Sequence, residues 1–339
     1  MAFRTLLHFG DTSGRCFLTT VRCARPHFRP TDTVKHIRGF KRIRDTVKQS
    51  ESQIPDSPFS PSVPALGKLW KPFGFTILFG SAVHVGAAIW EYERIRSHAY
   101  KIFNRYQQWR TYRTGWRGEM QKWWENLSDG QRIFAPICFI NVIVFLAWRI
   151  PRLHPTMVRY FCANPGSSAN CWPMVLSTFS HSSLMHVAVN MYVLHSFSTA
   201  AVATLGKEQF MALYLTSGVL SSFASHLYKT LFSRPGLSLG ASGAIMGVVS
   251  FICMQYPETR LSIAFLPMFT FTAGYAIKGL LLMDTAGCLM GWRFLDHAAH
   301  LGGAIWGIFW QTWGNSHIWQ KREPVLSFWH KIRDPPRSH

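Results

Sequence analysis

The chain has 339 residues, of which 48% are hydrophobic and only 15% are charged. Water-soluble globular domains carry about 25% charged residues, so this composition argues against an ordinary soluble enzyme. The formal net charge is +20, yet the 14 Trp and 26 Phe residues exclude a wholly disordered basic chain. The seven Cys residues form no CxxC pair and no regular framework, and we interpret them as free thiols or packing residues.

The positive charge is concentrated at the start of the chain. Residues 1–50 contain eight Arg, three Lys, three Asp and no Glu, which is a net charge of +8. This composition is typical of a mitochondrial transit peptide, and we predict a transit peptide or basic arm over residues 1–52. A solvated basic tail and a nucleic-acid-binding segment are the alternatives that composition leaves open. Residues 53–71, which begin with a Pro- and Ser-rich stretch, are predicted to be a linker.

Seven long apolar runs follow this linker and predict membrane spans. The first, residues 72–90, has 19 residues without an acid, Lys or Arg. As a helix it would be about 28 Å long, close to the hydrocarbon thickness of a bilayer. A buried soluble core could explain one such run, but it is a poor explanation for seven in succession. The other six candidate spans are residues 133–148, 184–204, 210–227, 239–254, 261–283 and 294–313.

The connection between the first span and the other six, residues 91–132, contains nine Lys or Arg, five acids and four Trp. A basic, Trp-bearing amphipathic stretch beside a membrane is typical of a segment that lies on the headgroup surface. The predicted fold is therefore an all-α polytopic membrane protein, with one N-terminal transmembrane helix before a six-helix core over residues 133–313. A basic tail, residues 314–339, completes the chain. The distribution of Lys and Arg gives no clear orientation by the positive-inside rule.

Polar residues inside predicted spans are candidates for chemistry, because they are costly to bury in a bilayer. The first such cluster is LGASGAIMG, in which Ser242 lies between Gly240 and Gly243 at the start of a span. Small neighbours leave the Ser242 hydroxyl and the adjacent amides open to a substrate carbonyl. Because small residues are common at helix contacts, close helix packing is the alternative interpretation.

The second cluster is DHAAHLGGAIWG in the last span. His297 and His300 are one turn apart on one face, and Gly303 and Gly307 have the GxxxG spacing that also begins at Gly243. Two helices that each carry small residues can approach closely enough for a Ser hydroxyl and an imidazole to share a hydrogen bond of about 2.6 to 3.2 Å. A histidine that only makes packing hydrogen bonds is the alternative.

The third cluster is HSSLMHVAVNMY, in which His186 and Asn190 are four residues apart and share a helix face. Neutral donors placed in this way can stabilise an oxyanion in a low-dielectric pocket. For His181, at the entrance to this span, helix capping or loop hydrogen bonding is an equally good interpretation. Asp296 precedes His300 by four residues and is a candidate third member of a triad. An acid at a helix entrance, however, more often meets solvent or a basic neighbour such as Arg293.

These three clusters resemble the motifs of the rhomboid intramembrane serine proteases. The family's GxSG, AHxxGxxxG and HxxxN patterns occur at residues 240–243, 299–307 and 186–190. The Arg-rich start and the extra helix before a six-helix core resemble the mitochondrial members of that family. The resemblance implies that Ser242 is the nucleophile and that His300 is the base. It further implies an oxyanion hole of His186, Asn190 and the Ser242 amide, supported by Gly240, Gly243, Gly303 and Gly307.

The activity that the resemblance implies is cleavage of transmembrane segments in single-span membrane proteins through an acyl-enzyme. The implied location is the mitochondrial inner membrane, in contact with its lipid, with the N-terminus in the matrix and the C-terminus in the intermembrane space. No cofactor, metal or nucleic-acid partner is expected, and the oligomeric state is left open. The alternatives are a catalytically silent rhomboid-like module that binds client transmembrane helices and a transporter, although no internal repeat supports the latter.

Other intramembrane chemistries lack their sequence patterns. The chain has no HExxH run, which a metalloprotease would need, and Asp284 and Asp296 lack the GxGD context of aspartyl intramembrane proteases. Two positions depart from the rhomboid pattern. Pro173 follows Trp172 where many members have Arg, and Met246 stands where bacterial members often have a Tyr that packs on the catalytic histidine.

Overall fold

The structure, a computed structural model, describes residues 65–105, 115–263 and 266–334. The predicted basic arm, the first part of the predicted linker and residues 335–339 of the predicted tail lie outside these ranges. In chain order the helices are α1 (Trp70–Arg105), α2 (Trp116–Asn126), α3 (Asp129–Ala147), α4 (His154–Phe161), α5 (Trp172–Leu176), α6 (Leu184–Leu205), α7 (Lys207–Leu231), α8 (Ser242–Gln255), α9 (Ala273–Met290), α10 (His297–Phe309) and α11 (Glu323–Arg333). Short 3₁₀ turns occur at Leu66–Leu69, Pro151–Leu153 and Ser177–Phe179, and α10 continues as a π-helix over Trp310–Trp319.

The prediction of a purely helical chain is wrong at one place. Strands β1 (Arg260–Ile263) and β2 (Leu266–Thr272) pair antiparallel and connect α8 to α9. The predicted span 261–283 therefore starts as a hairpin, and its helix begins only at Ala273 and continues to Met290. The physical reason is that LSIAFLPMFTFT is rich in β-branched and aromatic residues and contains Pro267, which disfavours a continuous helix.

Local sequence signals fix several helix ends. Ser128 and Gln131 form a capping box that starts α3, so this helix begins four residues before the predicted span. Gly206, with a φ of 77°, is the single residue between α6 and α7. Gly291 ends α9 in the left-handed conformation, with a φ of 71°, that glycine adopts without strain. Helices α6 and α7, which only Gly206 separates in sequence, also contact each other in space.

The core of the bundle is built around α7. Helices α1, α8 and α10 all pack against α7, while α3 packs mainly against α6. Large side chains fill the interior, and the fully buried ones include Phe210, Tyr214, Phe251 and Trp310. The outer faces of the helices instead carry many exposed apolar side chains, such as Leu282 and Leu289 of α9. An apolar exterior of this kind suits a lipid environment better than water.

Three described helical segments are long and apolar enough to cross a membrane, judged by length and composition: Leu66–Tyr100, Asp129–Ala147 and Lys207–Leu231. The segment Ser242–Gln255 is apolar but shorter. The remaining candidate spans stay predictions. The structure also changes the limits of the first one. Its helix begins at Trp70, inside the predicted linker, and continues well past residue 90 into the predicted surface connection.

Candidate functional site

The hydroxyl-bearing residue of the GxSG motif is the first residue of α8. Gly240 has a φ of 136°, a conformation that glycine favours, and its N–H donates to the Ser177 carbonyl at 2.9 Å. A Cβ atom at Gly240 would come within 2.9 Å of the His186 ring. The glycine therefore allows the chain to turn closely past His186 before α8 begins. Ser242 follows this turn and is half-buried.

The glycines of α8 and α10 face each other. A Cβ atom on Gly303 would overlap the backbone carbonyl of Gly243, and one on Gly307 would overlap that of Gly247. Ser250 adds a hydrogen bond from its hydroxyl to the Ala304 carbonyl at 2.9 Å. The close approach that the two GxxxG patterns predict is thus present, and it sets the separation of the two helices that carry Ser242 and His300.

Ser242 Oγ lies 2.9 Å from His300 Nε2, which is within hydrogen-bond distance. His300 is 8% exposed, so its side chain is largely buried. The two residues are 58 positions apart in the sequence, and the packing of α8 on α10 brings them together. A hydroxyl bonded to an imidazole is the arrangement by which a weak nucleophile is activated.

Behind the imidazole lies a carboxylate that the sequence did not single out as part of this site. Asp284 of α9 is fully buried, and its Oδ1 is 3.2 Å from His300 Nδ1 and 2.7 Å from His297 Nδ1. Gly287, one turn further along α9, leaves the space that the His297 ring occupies. An unbroken hydrogen-bond chain therefore runs from Ser242 through His300 to Asp284. The signal that could have found it is a lone acid within an apolar helix.

Asp296, the candidate third member considered from the sequence, has a different position. Its Oδ1 caps α10 by accepting the Ala299 N–H at 3.1 Å, and its Oδ2 accepts from Ser225 and Ser238 and pairs with Lys229 at 3.3 Å. The expected Arg293 partner is thus replaced by Lys229 and two serines, while the Asp296 side chain stays 26% exposed. Asp296 caps the start of α10, and the carboxylate that contacts the His300 ring is that of Asp284.

His186 and Asn190 lie on one face of α6, as their spacing predicts. The His186 ring is beside Gly240 and packs edge-on against His181, with 4.8 Å between ring centroids. Asn190 Nδ2 donates to the His186 carbonyl at 2.8 Å, which uses one of its two amide donors inside α6. Of the predicted pair, therefore, it is the His186 ring that the structure places next to the Ser242 turn.

His181 lies in the connection before α6 and has no exposed surface. Its Nε2 accepts the backbone N–H of Ala241 at 3.4 Å, so loop hydrogen bonding is the interpretation that fits. Burial, reinforced by the neighbouring His186, lowers the pKa of His181 to about 3. The ring is therefore neutral at physiological pH and keeps a lone pair for Ala241. His181 thus holds the turn that immediately precedes Ser242.

A cavity of about 490 Å³ reaches the Ser242 and His300 side chains. Its walls come from the start of α6, the end of α7, the segment before α8 and the turn between α9 and α10, and they include Ser182, His186, Lys229 and Asp296. All these segments meet at one end of the bundle. In the part of the chain that the structure describes, no group of three or more His, Cys, Asp or Glu residues could hold a metal ion.

The two departures from the rhomboid pattern are buried. Pro173 lies in the first turn of α5, where its missing N–H costs no helical hydrogen bond. Met246 lies on α8 one turn after Ser242 and is 8% exposed. Both residues therefore belong to the packed interior, and neither is among the residues that line the cavity.

The fold and the site define a mostly helical protein with apolar helices in which a serine hydroxyl and an imidazole meet between two closely packed helices. Residues 168–314 match the Rhomboid domain. The human "Presenilin-associated rhomboid-like protein, mitochondrial" is 51% identical over 286 residues, which cover 83% of this chain and 76% of that protein. The chain belongs to the rhomboid family.

Two further relatives extend this comparison. "Presenilin-associated rhomboid-like protein A, mitochondrial" of Danio rerio is 38% identical over 339 residues, covering 92% of this chain and 88% of that protein. "Rhomboid protein 1, mitochondrial" of Saccharomyces cerevisiae is 30% identical over 189 residues, covering 55% of this chain and 54% of the yeast protein. The similarity thus extends beyond the matched domain in the vertebrate relatives, and all three relatives carry "mitochondrial" in their names.

Proposed function

We propose that this protein is an intramembrane serine endopeptidase that cleaves transmembrane segments of single-span membrane proteins in the mitochondrial inner membrane. The observation that carries the proposal is the 2.9 Å contact between Ser242 Oγ and His300 Nε2 at a cavity inside a helical bundle. The mitochondrial location rests on the names of the relatives. The apolar exterior and the three segments that are long and apolar enough to cross a membrane support a lipid environment.

The chemistry begins when an unwound substrate segment presents a peptide carbonyl to Ser242. His300 Nε2 accepts the hydroxyl proton while Oγ bonds to the carbonyl carbon, which gives a tetrahedral oxyanion. His300 then returns the proton to the leaving amine, and the C–N bond breaks to leave an acyl-enzyme. Water repeats the attack, with His300 as the base, and hydrolysis of the ester restores the Ser242 hydroxyl. Each proton that His300 takes in one step it returns in the next.

The oxyanion would be stabilised by donors at the start of α8. The Ser242 amide lies at the N-terminus of this 14-residue helix, where unpaired N–H groups and the helix dipole favour negative charge. The His186 ring, beside Gly240, supplies a side-chain donor. Asn190 joins it through the amide N–H that the His186 carbonyl does not take. Fixed donors of this kind act on the transition state more than on the substrate.

The proposed topology is one helix, α1, followed by a six-helix core of α3, α6, α7, α8, α9 and α10. The start of α1 is near the cavity end of the bundle, since Phe75 packs on Trp172 in the connection before α6. The far end of α1 contacts the C-terminal segment, where Glu91 pairs with Arg322 at 2.7 Å. With the N-terminus in the matrix and the C-terminus in the intermembrane space, the cavity would draw its water from the matrix side.

The test is cleavage in proteoliposomes that contain the purified full chain and a labelled single-span substrate. Wild type is compared with Ser242→Ala and His300→Ala at equal protein content. We expect cleavage by wild type alone. Equal cleavage by all three proteins would overturn the proposal, and so would an inactive wild type that still captures the substrate helix as well as Ser242→Ala does. That second result would instead identify a silent helix-binding module.

A further inference from the structure

Asp284 is a carboxylate buried inside the helical bundle. It has no exposed surface, and among the described residues its side-chain partners are His297 and His300, with no Lys or Arg beside it. An acid in the middle of a membrane helix costs about 2.5 to 3.5 kcal/mol on insertion scales. This cost must be offset by what the residue does in the protein. Its two partners are both imidazoles of α10.

The hydrogen bonds of His300 determine which of its two ring nitrogens carries the proton. To accept the Ser242 hydroxyl proton, Nε2 must hold a free lone pair, so the neutral ring must carry its proton on Nδ1. In the described part of the chain, the acceptor that faces this Nδ1–H is Asp284 Oδ1, at 3.2 Å. A carboxylate accepts but does not donate, and it therefore favours this tautomer over the reverse one, which would be unable to activate Ser242.

His297 holds the carboxylate from the other side. Its Nδ1–H donates to the same Oδ1 at 2.7 Å, and its ring occupies the space beside Gly287. Asp284 and Gly287 are three residues apart and so lie on one face of α9. The carboxylate is thus fixed between two rings of α10, and one of these two rings is the partner of Ser242.

We propose that Asp284 is a positioning residue for the base: it fixes the Nδ1–H tautomer of His300 and stabilises the imidazolium that forms when His300 takes the Ser242 proton. Asp284 keeps its negative charge throughout, and the proton moves only between Ser242 and His300. This proposal rests on the proposed protease function, because it assigns a role within that reaction. The proposed site is thus a series of three hydrogen-bonded residues: Ser242 from α8, His300 from α10 and Asp284 from α9.

The test compares Asp284→Asn with wild type in the proteoliposome assay, at equal amounts of folded protein. Asn keeps the shape of the side chain, but its amide can donate to Nδ1 and so favour the wrong tautomer. We expect kcat to fall on the order of 100- to 10,000-fold, with KM within about threefold of wild type, because the tautomer matters only in the chemical step. The matched control is Asp129→Asn, the same chemical change at an exposed acid of α3. It should leave both kcat and KM unchanged.

A second measurement separates positioning from folding. The rate at which a small fluorophosphonate labels Ser242 depends on the activated hydroxyl and not on binding of a substrate helix. It should fall in parallel with kcat in Asp284→Asn, while thermal unfolding in detergent shows that the variant is folded. A folded Asp284→Asn protein with kcat and labelling within threefold of wild type would overturn the assignment of Asp284. The assignment would also be overturned if kcat and labelling fell only in proportion to the fraction of Asp284→Asn protein that is unfolded. If wild type and Ser242→Ala are equally inactive, the protease function itself has failed.

Discussion

Gly303 of α10 lies directly against the backbone carbonyl of Gly243 in α8, with no room for a methyl group between them. The same relationship recurs one turn further on, between Gly307 and Gly247. The two helices therefore touch through their backbones. Since α8 begins with Ser242 and α10 carries His300, the geometry of the proposed reacting pair depends directly on these glycines.

Gly303→Ala should separate α8 from α10. The added methyl group overlaps the Gly243 carbonyl, and overpacking of this kind costs about 1 to 3 kcal/mol of stability. We expect a lower midpoint of thermal unfolding in detergent and a slower fluorophosphonate labelling of Ser242. The matched control is Gly279→Ala in α9, where a Cβ atom meets nothing within 4 Å. There, alanine should leave stability unchanged or raise it by up to about 1 kcal/mol. Equal stability of the Gly303 variant and wild type would contradict this account of the helix contact.

His186→Ala should impair the chemical step. If the ring is a donor to the oxyanion, its loss should lower kcat on the order of 100- to 1000-fold with little change in KM. His195→Ala is the matched control, because His195 is exposed on the same helix and contacts Phe134 instead of the site. Steady-state cleavage of a single-span substrate measures both effects. A similar kcat in the two variants would remove His186 from the oxyanion hole.

His181 should make the free energy of unfolding depend on pH. Its pKa is about 3 when folded and about 6.5 when unfolded, so below pH 6.5 the unfolded chain binds a proton that the folded chain does not. Stability from this residue is therefore fully present above pH 6.5 and falls as the pH is lowered toward 3. At pH 5 the loss is about 2 kcal/mol.

His181→Gln should reduce this dependence, because Gln keeps an acceptor for the Ala241 N–H but does not titrate. The measurement is the free energy of unfolding of both proteins in detergent at pH 7.5 and pH 5. The difference between the two pH values should be smaller in the variant by about 2 kcal/mol. An identical pH dependence in both proteins would show that His181 is not buried in its neutral form.

Arg94 and Glu208 should be coupled in stability. Glu208, in the first turn of α7, has 1% of its side chain exposed, and Nε of Arg94 in α1 lies 2.5 Å from its Oε1. Arg94→Met leaves this buried carboxylate without its partner, which should cost about 1 to 3 kcal/mol. Glu208→Gln combined with Arg94→Met should recover part of that loss, and the double-mutant cycle measures the coupling. Additive effects of the two changes would mean that the pair does not attach α1 to the core.

The glycine contacts and the Ser242–His300 pair could be predicted because their signals are local. GxxxG spacing places small residues on one helix face, and a helix with such a face packs closely wherever a matching one exists. Each of the two helices that carry Ser242 and His300 thus shows a close-packing pattern in its own sequence. The identity of the partner helix follows from the chemistry, since a hydroxyl needs a base.

The contact between Asp284 and His300 could not be predicted, because the expected span ends one residue before Asp284. The sequence predicts a span over residues 261–283, which leaves Asp284 just outside it, whereas β1 and β2 occupy the first part of that run and move the helix toward the C-terminus. Helix α9 continues to Met290 and so encloses Asp284. Hydropathy averages over many residues and does not distinguish an apolar hairpin from an apolar helix, so this shift was invisible without the structure.

The surroundings of Asp296 and His181 depend on tertiary contacts. Sequence spacing made Asp296 a candidate neighbour of His300 and Arg293 its expected partner, but in the structure its carboxylate caps α10 and pairs with Lys229 of α7. The His181 ring accepts a hydrogen bond from the Ala241 N–H, which is 60 residues away in the sequence. Neither contact has a periodic or spaced pattern in the chain that could indicate it.

The most direct test of the central claim is to map the adduct that a fluorophosphonate forms with the full-length protein in proteoliposomes. After labelling, the protein is digested and the modified peptide is identified by mass spectrometry, for wild type and for His300→Ala. We predict a single adduct on Ser242 in wild type and labelling at least about 100-fold slower in His300→Ala, because the base that activates the hydroxyl is gone. An adduct on another residue, or labelling of Ser242 at the same rate without His300, would contradict the account.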